Sequence, residues 1–244
     1  MKVAILSDIH GNMQALESVM KDINKNGCEK VLCLGDLAMA GPEPSKVIDF
    51  VKSQSNWTVI QGNTDKMIAD FSPEILKNTE RVFPVMAHAL ADDVLFLSDD
   101  SKEYLKNLPT QKELKIEGVK ILMVHGSPRR NNEDILPDMP IAQIEEIIKG
   151  VSVDLVFCGH THIPAGYQTS TKQTVVNVGS VGRPMTKDAK SCYCIANFDN
   201  GSFSIEHRLL DYDREKAAEI MRSRAFDGAE KLAEMILHPT SRHV

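Results

Sequence analysis

Four apolar residues, Val3–Leu6, are followed by Leu16, Val19, Met20 and Ile23, which recur at helical spacing up to Gly27. The first run predicts a buried strand, and the second an amphipathic helix stopped by a glycine. The alternation then repeats: Val31–Leu34 as a strand, Val47, Ile48 and Val51 as a helix face, and Trp57–Ile60 as a third strand. From about residue 66 to 110 the pattern changes to Ala, Leu and charged residues without strand character, which predicts an inserted helical segment. Strand patterns return at Glu113–Ile116 and Lys120–Val124, joined through Glu117–Gly118 in the manner of a hairpin. A loop at Ser127–Pro137 precedes a helix carrying Ile141, Ile144, Ile147 and Ile148, with Gly150 as its stop. Leu155–Cys158, Pro164–Thr169, Val175–Val178, Cys192–Phe198 and Ser204–Leu209 are further strands, and Arg214–Leu237 carries two short helices. Strands alternating with helices, without repeats, predict an α/β architecture in one domain spanning 1–244, the 66–110 segment being a cap on it.

Composition narrows the function classes. The chain has 244 residues, 42% hydrophobic and 25% charged, the balance of a globular protein with a sizeable core. Its formal net charge of −6 argues against an extended grip on nucleic acid. No apolar run reaches the roughly 18 residues of a membrane span, and Asp8 interrupts the first apolar run too early for a signal peptide. The five cysteines have no zinc-finger spacing and are expected to be reduced. A cytoplasmic protein without membrane association is expected.

The chemistry sits where strands end. Asp8 and His10 follow the first strand, Gly35-Asp36 the second, and Gly62-Asn63 the third. His125-Gly126 and Gly159-His160-Thr161-His162 follow two later ones. In open α/β sheets ligands lie beyond the carboxyl ends of the strands. On extended chain, residues two apart point the same way, so Asp8 with His10 and His160 with His162 are expected to converge in pairs. Two Asp, one Asn and four His are too many donors for a single ion with three or four ligands and about right for two. Imidazole mixed with oxygen donors suits Mn, Fe, Zn, Co or Ni better than Ca or Mg. A P-loop for nucleotide hydrolysis is absent from the sequence.

In this order and spacing, Asp8-x-His10, Gly35-Asp36 with Gly41-Pro42, Gly62-Asn63-x-Asp65, His125-Gly126 and Gly159-His160-Thr161-His162 resemble the motifs of calcineurin-like metallophosphoesterases. The resemblance is strongest to the small bacterial and archaeal phosphodiesterase and phosphatase branch. Asn177-Val178-Gly179-Ser180 with Arg183 matches a later loop of that family. It implies a two-sheet β-sandwich flanked by helices. It further implies one divalent or mixed-valence metal held by Asp8, His10, Asp36 and His162, and a second held by Asp36, Asn63, His125 and His160, with Asp36 as the bridge. A hydroxide shared by the two ions would be the nucleophile on a small-molecule phosphodiester, phosphomonoester or nucleotide anhydride, dinucleoside polyphosphates included. The retromer subunit of the same fold is a protein-binding scaffold, which is the rival reading; there the donors would be expected to be lost, and here all seven positions are filled.

One position departs from the family pattern. Thr64 stands where many members carry a histidine that protonates the leaving group, and a hydroxyl is too weak an acid for that task. His88, within the inserted segment, is read as a surface or packing histidine. Two further residues are candidates for substrate binding. Asn12, at a helix start, is either a phosphate contact or an ordinary N-cap. Arg183, in a glycine-rich loop, either grips a phosphate or is a plain surface arginine.

Overall fold

The computed structural model describes residues 1–239. Two five-stranded sheets lie face to face. The first has the order β10-β9-β1-β2-β3, built from β1 (Lys2–Leu6), β2 (Lys30–Cys33), β3 (Trp57–Val59), β9 (Ser191–Asp199) and β10 (Ser202–Leu210). The second has the order β4-β5-β6-β8-β7, from β4 (Gln111–Ile116), β5 (Val119–Val124), β6 (Leu155–Cys158), β7 (Ala165–Gln168) and β8 (Thr174–Asn177). In the first sheet β1-β2-β3 run parallel out to the β3 edge, with antiparallel β9 and β10 on the other side; in the second a parallel centre, β5-β6-β8, is flanked by antiparallel β4 and β7.

The period of two along a strand decides which core each side chain joins. Val3 and Ile5 of β1 face the second sheet and pack with Leu32, Met123, Phe157 and Val176 in the inter-sheet core. Ala4 and Leu6 point the other way, into a core shared with the helices. Fully burying one such aliphatic side chain contributes about 1.5–3 kcal/mol. The outer face of the first sheet is covered by α1 (Met13–Lys25), α2 (Pro44–Ser53), α8 (Arg214–Ser223) and α9 (Ala229–Leu237). That of the second is covered by α7 (Ile141–Ile147). The layers are therefore helix, sheet, sheet, helix, as expected for the calcineurin-like fold.

The segment without strand character folds as four helices, α3 (Asn63–Ala69), α4 (Pro73–Val82), α5 (Pro84–Phe96) and α6 (Asp99–Asn107). Ile68, Ala89, Leu90 and Leu105 from this segment join the same core as Leu16 of α1 and Leu232 of α9. The predicted strands all occur, with ends shifted by one or two residues: Ile60 is outside β3, and β4 begins at Gln111. No described helix is long and apolar enough to cross a membrane.

Candidate metal centre

The carboxyl ends of the parallel strands of both sheets meet at one edge of the sandwich. Backbone hydrogen bonds stitch the loops there: the Asp8 amide donates to Gly35, His10 to Asp36, Gly159 to His125, and Gly182 to Asp8. The side chains do not converge by strand alternation. Asp8, His10, Asp36, His160 and His162 all lie in the left-handed region, with φ of 56°, 46°, 55°, 66° and 62°. Non-glycine residues adopt this conformation at a cost, and five of the seven expected ligands bear it. Expecting the pairs to converge on extended chain was therefore wrong in its reason, because both Asp-x-His and His-x-His sit in tight loops past the strand ends.

Two glycines permit the close approach. A Cβ on Gly62 would lie 2.0 Å from Asp36 Oδ1, and one on Gly159 would lie 2.6 Å from Asp8 Oδ2. Asp65 fixes the loop from below, its carboxylate accepting from the amides of Asp36 (2.8 Å), Leu37 (2.9 Å) and Gly62 (3.0 Å). Burial and the neighbouring Asp36 charge push the Asp65 carboxyl up to about 7.

Three imidazoles are oriented alike. Nδ1 of His10 meets the Met39 carbonyl (3.0 Å), Nδ1 of His125 that of Leu34 (2.8 Å), and Nδ1 of His162 that of Arg183 (2.6 Å). A carbonyl only accepts, so each Nδ1 carries the hydrogen and the free lone pair of the neutral ring is on Nε2. These Nε2 atoms all point at one small volume. His10 Nε2 and His162 Nε2 are 3.1 Å apart, and His162 Nε2 is 3.1 Å from Asp8 Oδ1. His125 Nε2 is 3.4 Å from Asp36 Oδ2 and 3.0 Å from Asn63 Oδ1. Asp8 Oδ1 is fully buried without a hydrogen-bond partner.

Such a gathering of acceptors fits a cation. Two triads have ligand atoms close enough to hold one, Asp8–His10–His162 and Asp8–Asp36–His125, with Asp8 common to both. Electrostatics agree. Burial lowers His125, but Asp36 and Asp8 outweigh it and raise the ring to about 10, so the two carboxylates demand positive charge there. Burial and the adjacent His162 lower His10 to about 4. Burial alone would raise the Asp8 and Asp36 carboxyls; the surrounding histidines carry Asp8 well below its usual range and Asp36 to about 2.

The remaining expected residues are placed as follows. Asn63 opens α3 with its side-chain oxygen on His125. His160 stacks edge-on to His125 with ring centroids 5.4 Å apart, its Nε2 3.4 Å from Asp134, and it belongs to neither triad. Asn12 is fully buried; its oxygen caps α1 at the Ala15 amide and its amide group donates to Gly182, so its side chain braces the loop that carries Arg183. Arg183 is half-buried, donates to Met86 Sδ at 3.3 Å, and forms no ion pair with a carboxylate among the described residues. Burial lowers its pKa against the pull of Asp36. Thr64 donates its hydroxyl to the Ala38 carbonyl and its amide to Asp36 Oδ1. His88 points to the Asp227 carbonyl between α8 and α9. The carbonyls of Leu34, Met39 and Arg183 were not foreseen, because a backbone acceptor leaves no trace in residue type.

Residues 1–201 match the family model described as the calcineurin-like phosphoesterase superfamily domain. An uncharacterized protein of Methanocaldococcus jannaschii is 29% identical over 233 residues, covering 89% of this chain and 90% of that one. A hypothetical protein of Pyrococcus horikoshii has a solved structure with a TM-score of 0.86 at 25% identity, covering 98% of this chain and 99% of its own. A metallophosphoesterase from Sphaerobacter thermophilus superposes with a TM-score of 0.76 at 22% identity, covering 98% of each chain. With the family matched over most of its length, the chain belongs to the calcineurin-like phosphoesterase superfamily.

Proposed function

We propose that this chain is a phosphoester hydrolase that works with two divalent transition-metal ions. Asp8, His10, Asp36 and His162 would hold one, and Asp36, Asn63, His125 and His160 the other. The observation that carries this reading is the set of Nε2 lone pairs turned toward each other and toward a buried, unpartnered Asp8 oxygen. Without a cation these acceptors repel; with one they become ligands. Bound cations would supply a water acidified toward neutrality and Lewis acidity for a phosphoryl oxygen.

The chain's own residues supply orientation and charge. The three backbone carbonyls keep the histidine hydrogens on Nδ1 and aim Nε2 inward. The Asp65 carboxylate holds the Asp36 loop by accepting from its backbone amides and not from the Asp36 side chain, leaving Asp36 Oδ2 turned to the cluster. Arg183, without a carboxylate partner among the described residues and within electrostatic reach of Asp36 and His10, suits a phosphate oxygen. Thr64 is committed to Ala38, so no side-chain acid stands at the family's usual position. Departing groups must therefore be stable without a proton, which favours phosphoanhydrides or activated esters over alkyl phosphomonoesters. The five free cysteines accord with a reducing compartment such as the cytoplasm.

The scaffold reading would leave the donors idle. Protein purified with Mn(II) should retain about two equivalents by elemental analysis and turn over phosphodiesters, phosphomonoesters or anhydrides. Folded protein that retains no transition metal would refute the proposal, and two bound metals without turnover of any class would favour the scaffold.

A further inference from the structure

The outer strands of the two sheets are not alike. β3 has three residues and β7 four, too short to present a long row of backbone groups. β4 carries Lys112 and Lys115, the charges that natural edge strands use against pairing. β10 ends the first sheet with nine residues, no proline, and an unbroken register against β9 from Ser202–Asp199 to Leu210–Ser191. Asn200 and Gly201, with φ of 45° and 83°, form the tight turn before it. Ser202 and Asp199 flank that turn and exchange backbone bonds, so every even-numbered residue of β10 turns its backbone to β9. The amides and carbonyls of Phe203, Ile205, His207 and Leu209 therefore point outward, and they meet no hydrogen-bonding partner among the described residues.

We propose that β10 is the interface of a homodimer, in which a second copy of the chain adds its own β10 antiparallel and the two first sheets become one. Such a pairing is isologous, and it must set outward-bonding residues opposite each other, so its two-fold axis passes through one residue of the strand. The side chains choose which. Glu206 and Arg208 share a face of β10, Arg208 Nη1 lying 2.9 Å from Glu206. An axis at Glu206 sets glutamate against glutamate, and one at Arg208 sets arginine against arginine; like charges directly opposite are destabilising. An axis at Ile205 leaves both charged residues facing serines, Ser204 and Ser202. An axis at His207 sets Glu206 against Arg208 of the second copy and Ile205 against its Leu209, and the two-fold repeats both pairs. In this register alone the strand complements its own charges.

Packing points the same way. Phe203 and Ile205 pack against the inter-sheet core, and a groove lined by Tyr167, Val176, Ile205 and His207 runs along that row between the sheets. Leu209 belongs to the same row and is 45% exposed. Directly opposite residues share a face, so each copy's Leu209 covers the groove of the other beside Ile205 and removes apolar surface from water on both. β10 runs in the direction of β1, whose end carries Asp8. Antiparallel pairing therefore sets the two donor edges at opposite ends of the shared sheet.

Sedimentation equilibrium of the full chain should show a dimer at about 100 μM, a concentration that populates any dimer of micromolar affinity. Glu206 is exposed, and Glu206→Arg sets arginine against arginine at both pairs. It should weaken the dimer at least about tenfold and leave the fold unchanged. Arg208→Glu should weaken it likewise. Mixing these two variants should restore association, because each arginine of one then faces a glutamate of the other. Leu209→Pro removes an outward amide while keeping the ladder to β9, so it should abolish the dimer without unfolding the chain. Should Arg208→Glu, which also loses its bond to Asp22, fail to fold, Glu206→Arg and Leu209→Pro still decide. A wild-type chain that stays monomeric overturns the proposal and leaves this edge to a strand of another protein. A dimer that survives either Glu206→Arg or Leu209→Pro overturns it as well, since it then uses another register or another face.

Discussion

Asp36 does three things within one residue. Its amide hangs from Asp65, its Oδ1 accepts from Thr64, and its Oδ2 faces His125 at 3.4 Å and His10 at 3.7 Å. Asp36→Asn keeps an oxygen for Thr64 and removes the charge, so the fold should survive while metal retention falls and activity drops by several orders of magnitude. Metal supplied at a hundred times its dissociation constant stabilises by about 2.7 kcal/mol. Chelation should therefore lower the wild-type melting temperature by roughly 5–10 °C for a chain of this size. In Asp36→Asn the same chelation should shift it far less. Near-normal turnover and unchanged metal content in the folded variant would sink the two-metal reading. At this same scale Asn12 shows how an ambiguous residue resolves in its contacts: the cap at Ala15 and the bond to Gly182 occupy both ends of its amide.

Among the elements, α5 is the least ordinary. Its sequence, PVMAHALADDVLF, is apolar around most of its circumference, and such a helix is normally covered on all sides. Here Ala87, Ala89 and Leu90 are buried while Leu95 and Phe96 are exposed, and Met86 touches Arg183. We propose that α3–α6 act as a cap integral to the domain, since their buried side chains share a core with α1 and α9. Leu90→Ala should then cost about 2–5 kcal/mol, read by urea unfolding as an earlier midpoint within a single transition. Two separate transitions, the first leaving metal binding intact, would show instead that the cap folds on its own.

Across the whole molecule, Arg224 ties parts distant in sequence. At the end of α8 it donates to the Gly41 carbonyl (2.7 Å), to Asp93 of α5 (2.6 Å) and to Asp92. The loop it grips also contains Met39, the acceptor for His10. Burial raises the Asp93 carboxyl to about 6 against the attraction of Arg224. Folded Asp93 thus holds its proton more tightly than the unfolded chain, and its contribution to stability declines as pH rises from about 4 to 6. Arg224→Ala removes the opposing charge and extends that decline to higher pH. The variant's melting temperature should fall below wild type by more at pH 8 than at pH 5; equal deficits would mean that Asp93 is not the ionised partner of Arg224.

Local patterns determined a good deal alone. Strand runs such as Val3–Leu6 and the Leu16–Ile23 helix face are readable because burial selects apolar side chains at the period of each element. The donors were legible for a different reason: each Asp, Asn or His beside a glycine could alone be an ordinary turn, but their recurrence after successive strands places them where open α/β sheets bind ligands. What joins them was decided only in three dimensions. The inward aim of Nε2 depends on the carbonyls of Leu34, Met39 and Arg183, and carbonyls are common to all residues. The left-handed backbone at Asp8, His10, Asp36, His160 and His162 is imposed by loops packed between two sheets, against each residue's own preference. Met235 lies in a stretch that reads only as a short helix until α9 folds back and places it beside His10. A contact across nearly the whole chain is set by how the layers stack, and no short stretch of sequence encodes that.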